Sequence, residues 1–140
     1  MKKTALLLLL LPSIWMTACS DDDNSNVNDP QAAEGQWKLV NVSGSIAGTS
    51  HDFAPGTITW TFDEDANTVT VVNNNTNENA EDFFASGTYD FHFEANQNTP
   101  DMCAQSLFIE NLELGCQTET ATQLVLSQTW ADGYQLTFVK

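Results

Sequence analysis

Arginine is absent from this chain, and its four basic side chains are Lys2, Lys3, Lys38 and Lys140 against 19 acidic ones. A nucleic-acid backbone is held by clustered Lys or Arg that release counterions, so nucleic acid is excluded as a partner. Phosphate and carboxylate recognition leans on arginine forks and is excluded with it. Histidine is limited to His51 and His92, far apart in sequence, and cysteine to three residues. Zinc sites need three or four ligands, so neither metal nor cofactor is expected. There is no Gly-x-Ser-x-Gly and no phosphate-cradling glycine loop. Asp63-Glu64-Asp65 lacks EF-hand spacing and reads as a polar turn. The expectation is a protein that is not an enzyme.

No apolar run reaches the roughly 20 residues that a membrane-spanning helix needs. The run that exists, Ala5 to Leu11, follows Lys2 and Lys3 and is interrupted by Pro12 and Ser13, which is the architecture of an export signal peptide. Met16-Thr17-Ala18-Cys19 comes next and resembles the bacterial lipobox, with Met16 where leucine is usual. The resemblance implies cleavage before Cys19 and lipidation of its sulfur. It implies a membrane partner through an N-terminal lipid anchor, palmitate being the acyl group to label. Directly after it, Ser20-Asp21-Asp22-Asp23-Asn24 resembles the acidic export signal of surface-exposed lipoproteins of Bacteroidota. That implies lipid anchoring at the outer membrane, on its cell-surface side. A plain solvated spacer has the same composition.

Removal of residues 1–18 takes two lysines and no acid. The remainder stays soluble by charge and repels anionic surfaces. Two cysteines are then left, Cys103 and Cys116, in a chain exported to a disulfide-permissive compartment, and they are expected to pair. From Asp21 to Ala33 almost nothing apolar is available to bury, so residues 19–34 read as a lipidated tether and residues 35–140 as one folded domain.

Within that domain the dominant pattern is alternation with period two. In Thr57-Ile58-Thr59-Trp60-Thr61-Phe62 every second residue is large and apolar. Tyr89, Phe91 and Phe93 alternate with polar neighbours, as do Tyr134, Leu136 and Phe138. Each segment predicts a half-buried strand. Weaker strand signals cover Trp37 to Val42, Thr68 to Val72, Ser106 to Ile109, Leu112 to Cys116 and Leu124 to Trp130, about eight strands in all. Asp63 to Asn67, Glu110-Asn111 and Asp132-Gly133 are turn signals between consecutive strands. A helical period is hinted at only from Glu78 to Phe84. The expected fold is all-β, a small antiparallel up-and-down barrel, since closure removes the two edges of a meander.

Gly35-Gln36-Trp37 at the opening of the first strand is similar to the Gly-x-Trp signature of lipocalins, and later phrases extend the likeness over the domain: Gly56 to Phe62, Ser86-Gly87-Thr88-Tyr89, and Leu124-Val125-Leu126 before Asp132-Gly133. The resemblance implies a lipocalin-like barrel closed at one end by Trp37, with Gly35 letting the backbone pass tightly beneath the ring. Lipocalins lay an arginine from the last strand across that tryptophan; the only cation placed to replace it here is Lys140. The likeness also implies a cup for a small hydrophobic molecule, lined by Trp60, Phe62, Tyr89, Phe91, Phe93, Leu107, Leu136 and Phe138. The same side chains serve equally as a packed core, because eight strands enclose little more than their own residues. The second functional class is then protein binding through loops, of protease-inhibitor or adhesion type, with an extracellular protein as partner. The candidate loops are Ser43 to Pro55, carrying Gly44, Gly48 and His51, and Asn73 to Phe84, whose Phe83-Phe84 is expected on the surface as an interaction patch.

Overall fold

A computed structural model describes residues 33–96 and 101–140. The expected signal peptide, the expected lipidation site Cys19 and the acidic run lie outside the described residues. Nine strands follow in order: β1 (Gly35–Gly44), β2 (Thr49–Asp52), β3 (Ile58–Asp63), β4 (Thr68–Asn73), β5 (Gly87–Ala95), β6 (Gln105–Ile109), β7 (Leu112–Glu119), β8 (Gln123–Ser127) and β9 (Tyr134–Val139). All pairings are antiparallel, and the described residues contain no helix. Glu78 to Phe84 is therefore not helical; its polar residues turn and bend across the barrel instead.

Eight strands close a ring, β1-β3-β4-β5-β6-β7-β8-β9, sealed where β1 pairs with β9 from Lys38↔Val139 to Gly44↔Tyr134. The alternation explains the sealing. In β3, Ile58, Trp60 and Phe62 point inward and are buried, while the threonines between them face out, so one face of every strand has to be covered. Strand β1 carries a register shift between Leu39 and Asn41. Its buried positions run Trp37, Leu39, then Val42, the change of face that an extra residue imposes on a two-residue period. That bend lets one strand serve two partners on the same side, β3 along Gly35–Leu39 and β2 along Asn41–Gly44.

Strand β2 is the ninth and stands outside the ring. It occupies part of the Ser43 to Pro55 segment that the sequence reads as a loop. Its residues, Thr49-Ser50-His51-Asp52, offer no apolar alternation, and main-chain pairing with β1 makes the strand. The Asn41 amide reinforces it, donating to Ser50 Oγ at 3.1 Å and Asp52 Oδ1 at 2.8 Å.

Two of the expected turns fall where the sequence puts them. Asp63 Oδ1 accepts the Ala66 amide at 3.0 Å in the β3–β4 turn, and Ile109 pairs with Leu112 across Glu110-Asn111. The β8–β9 connection differs. The strand ends at Ser127 instead of reaching Trp130, and the turn is Trp130 to Gly133, with Ala131 and Asp132 at its centre and the Gly133 amide on the Trp130 carbonyl at 3.1 Å. Buried Gln128 holds the connection: its main-chain amide donates to the Tyr134 carbonyl at 3.0 Å, and its side-chain amide donates to the Glu113 carbonyl at 3.0 Å and accepts from the Tyr134 amide at 2.7 Å.

Cys103 and Cys116 form a disulfide, with Cα atoms 5.8 Å apart, pinning the segment before β6 to β7. Closing a loop of 13 residues removes about 3 kcal/mol of unfolded-state entropy. Reduction, or replacement of both cysteines by alanine, is expected to lower the melting temperature by about 10–20 °C. A shift under ~3 °C by calorimetry would mean that the cross-link constrains little.

Candidate functional site

The closed end of the barrel is built on Trp37, which is fully buried and donates its indole N–H to the Ala33 carbonyl at 3.0 Å. Ala33 is itself fully buried, so packing begins two residues before β1. Lys140 Nζ lies 4.5 Å from the Trp37 ring centroid and 3.7 Å from Glu119 Oε1. The ammonium thus sits on the ring face with a carboxylate beside it, the arrangement the ring quadrupole favours. Gly35 has φ +98°, yet a Cβ there would meet nothing within 4 Å. Its requirement is the positive φ, and the tight backbone passage expected from the sequence is not the reason. Lys140→Ala is expected to cost about 1 kcal/mol and to shift indole emission to the red as Trp37 gains water; an unchanged spectrum and melting temperature would remove Lys140 from the closure.

Around Trp37, six of the eight side chains proposed as a lining, Trp60, Phe62, Phe91, Leu107, Leu136 and Phe138, are buried in one cluster, with Trp60 opposite Trp37 in register, and Tyr89 and Phe93 pack against the cluster partly buried. Trp60 is the hub: its ring centroid is 5.0 Å from Phe138, 5.5 Å from Phe84 and 6.3 Å from Phe62. Phe62 continues to Phe91 at 5.6 Å and Phe91 to Phe93 at 6.3 Å. Trp60, Leu107, Leu136 and Phe138 have 0% of their surface exposed, so no water-sized void touches them. The proposed lining leaves out the aliphatic half of this interior, Leu39, Val42, Ile58, Val69, Val71, Ile109, Leu114, Leu124 and Leu126. Their alternation within short strands was the available signal.

It also misplaced Phe83 and Phe84. Phe84 is buried, packing edge-on against Trp60 and 5.0 Å from Tyr89, and Phe83 stands edge-on to Tyr134 at 5.4 Å. The β4–β5 connection folds inward and supplies these rings as filling. Asn73 fixes the approach, its amide donating to Asp82 Oδ2 and to the Phe84 carbonyl, both at 2.9 Å. Phe84 of the expected surface patch thus belongs to the interior, and Phe83 packs against it partly buried.

One polar atom stays unmatched at the hub: Trp60 Nε1 is buried with no hydrogen-bond partner. Among the described residues no group of three or more His, Cys, Asp or Glu side chains is gathered to hold a metal.

No protein-family model, curated protein or solved structure matches the chain. The site is therefore read from its own geometry. Among the described residues the large apolar side chains left on the outside are Ile46 at 87% exposure in the β1–β2 turn, Trp130 at 45% in the β8–β9 turn, Leu112 beside the β6–β7 turn, and Val72 and Met102. The first two share the barrel end opposite Trp37. A Cβ on Gly44 would collide with the Gly133 carbonyl oxygen and lie 2.8 Å from Tyr134 Cα, so these two turns lie side by side.

Proposed function

We propose that this protein is an exported lipoprotein, acylated on Cys19 and tethered by residues 19–34 to the outer membrane on its surface-facing side. Its barrel is a scaffold that binds another protein through the end carrying the β1–β2 and β8–β9 turns. The observation that carries the second half is the complete burial of Trp60, Leu107, Leu136 and Phe138, whereas a carrier needs a cavity of several hundred Å³. The first half rests on Lys2-Lys3, the apolar run and Met16-Thr17-Ala18-Cys19.

Labelled palmitate fed to the native host is the test of the anchor. Incorporation that disappears in Cys19→Ser supports it, and absence of label from the wild-type chain overturns it. Native mass spectrometry of the protein purified from its host tests the scaffold. Repeated absence of any lipid mass, with a protein partner co-purifying, is expected.

A second reading is carriage of a small hydrophobic molecule. It is favoured by the unpartnered Trp60 N–H, which an acceptor atom on a ligand would satisfy if Phe84 withdrew. A reproducible lipid mass bound to the folded chain would establish this reading in place of the scaffold.

A further inference from the structure

We propose that the corner where the β8–β9 turn meets the start of β7 binds a partner protein through a lysine or arginine side chain next to an apolar one. The cation lies against Trp130 and the apolar neighbour against Leu112. This rests on the protein-binding reading above and names its surface and its partner class.

The corner is held together by Glu113. Its Oε1 accepts from Thr129 Oγ1 at 2.9 Å, and its carbonyl accepts from the Gln128 side chain at 3.0 Å. A Cβ on Gly115 would lie 2.6 Å from Gln128 Cα, so the chain leaving β8 runs directly against β7. Leu112 and Trp130, both exposed, each stand one residue from a member of the Thr129–Glu113 bond. One extended segment of about four residues reaches both. The turn itself is braced, the Gly133 amide on the Trp130 carbonyl at 3.1 Å and the Tyr134 amide on Gln128 Oε1 at 2.7 Å. A tryptophan carried on fixed backbone loses little freedom on binding, and tryptophan is a frequent anchor of protein interfaces.

Charge selects the occupant. Exposed Asp132 is in the Trp130 turn, exposed Glu110 is in the adjoining β6–β7 turn, and Glu113 lies between them. Both described lysines are remote from this corner. Lys38 stands opposite Val139, five residues along β9 from Tyr134, or about 17 Å at strand rise. Lys140 is held at Glu119, seven residues along β7 from Leu112, or about 20 Å. Both gaps exceed the screening length of ~8 Å at physiological salt. His92, two strands away on β5, is taken up by Glu94 at 3.2 Å. The field at the corner is therefore negative, and it attracts cations.

Trp37 shows what an indole beside a carboxylate takes up in this chain: the Lys140 ammonium, 4.5 Å from the ring centroid and 3.7 Å from Glu119. At Trp130 the cation has to come from a partner, because neither described lysine reaches it. A cation over an exposed indole is favourable by itself, and the carboxylates add to it. A second copy, bearing the same excess of acid, is repelled, as is an anionic lipid surface.

The test uses the mature chain purified from its host in detergent and three probes. These are a peptide of alternating arginine and leucine, its citrulline–leucine counterpart of equal shape without the charge, and phosphatidylcholine vesicles. The arginine peptide is expected to shield Trp130 from acrylamide quenching, judged against Trp130→Phe, and to move the amide resonances of Leu112, Glu113 and Thr129 to Gly133. Its affinity should fall as salt rises. The citrulline peptide should bind at least tenfold more weakly, and the vesicles should shield nothing. Trp130→Ser should weaken arginine-peptide binding at least tenfold at unchanged melting temperature; Leu112→Ser, also at an exposed position, serves if that variant misfolds. Glu113→Gln with Asp132→Asn should weaken it about fivefold, asparagine being at ease at the φ of +62° that Asp132 adopts.

Absence of saturable binding up to about 1 mM, equal binding of the citrulline peptide, or binding unaltered by these variants would each overturn the proposal. So would self-association that Trp130→Ser abolishes, or vesicles shielding Trp130 in place of the peptide. Arginine-peptide binding that moves only resonances elsewhere, such as the Asp63–Asp65 turn, overturns this corner but leaves protein binding standing. Changes confined to the Trp60 surroundings, with a co-purified lipid, defeat the protein-binding reading itself.

Discussion

Gly115→Ala is expected to destabilise the barrel by at least about 3 kcal/mol, lowering the melting temperature by about 12 °C or more. Two effects act at one atom. Gly115 has φ +85°, where an L side chain is strained, and a Cβ there would collide with the Ser127 carbonyl oxygen and lie 2.6 Å from Gln128 Cα. Both obstacles are backbone, so neither can swing away as a flexible side chain would. The position is forced by topology: Leu107 pairs with Gly115 but Phe108 with Glu113, so β7 carries an extra residue at Leu114. Such a bulge bends the strand and commonly places glycine at positive φ. The bend keeps Leu114 buried just before Cys116 enters its disulfide. For a domain whose whole stability is about 5–15 kcal/mol, the loss shows plainly in urea melts. A change below ~1 kcal/mol would mean that β7 can relax into a regular strand.

Trp60→Ala is expected to cost about 3–5 kcal/mol, whereas Trp60→Phe should cost less than about 1.5 kcal/mol. Alanine removes the ring that touches Phe62, Phe84 and Phe138 together and leaves a cavity among rigid neighbours. Phenylalanine gives up part of the volume but deletes an N–H that is buried without an acceptor, and relief from an orphaned donor offsets much of the loss. Calorimetry on the two variants decides the matter. If phenylalanine proves as damaging as alanine, the indole nitrogen has a favourable contact after all, the Phe84 ring, which stands edge-to-face with Trp60, being one candidate.

The strands that could be read from residues alone are those whose inward positions are aromatic. Trp60 and Phe62, Phe91 and Phe93, and Leu136 and Phe138 declare their faces because a large apolar side chain on every second residue suits a half-buried strand and little else. The disulfide was legible because the expected export signal, with Cys19 consumed, leaves two thiols for an oxidising compartment. What escaped is held by interactions that leave no period. β2 has no apolar residue, and its pairing depends on where β1 bends. The end of β8 is hidden because the Gln128 side chain adds its own bonds to the Glu113 carbonyl and the Tyr134 amide. Phe84 looked like a surface residue because its burial depends on Asn73, eleven positions away, whose amide its carbonyl accepts. Six of the eight lining candidates are buried and Tyr89 and Phe93 are partly so, but whether they enclose space or fill it is a question of volume, and alternation carries no information about volume.

The seam between β1 and β9 has a kinetic consequence. The strand that opens the ring cannot satisfy its second edge until Tyr134–Val139 has been delivered, so Leu39 and Val42 wait uncovered while every intervening hairpin forms. Folding limited by so distant an encounter belongs to the millisecond-to-second regime of non-local β topologies. A circular permutant that joins the partners of this seam through a short linker should therefore refold faster at little change in equilibrium stability.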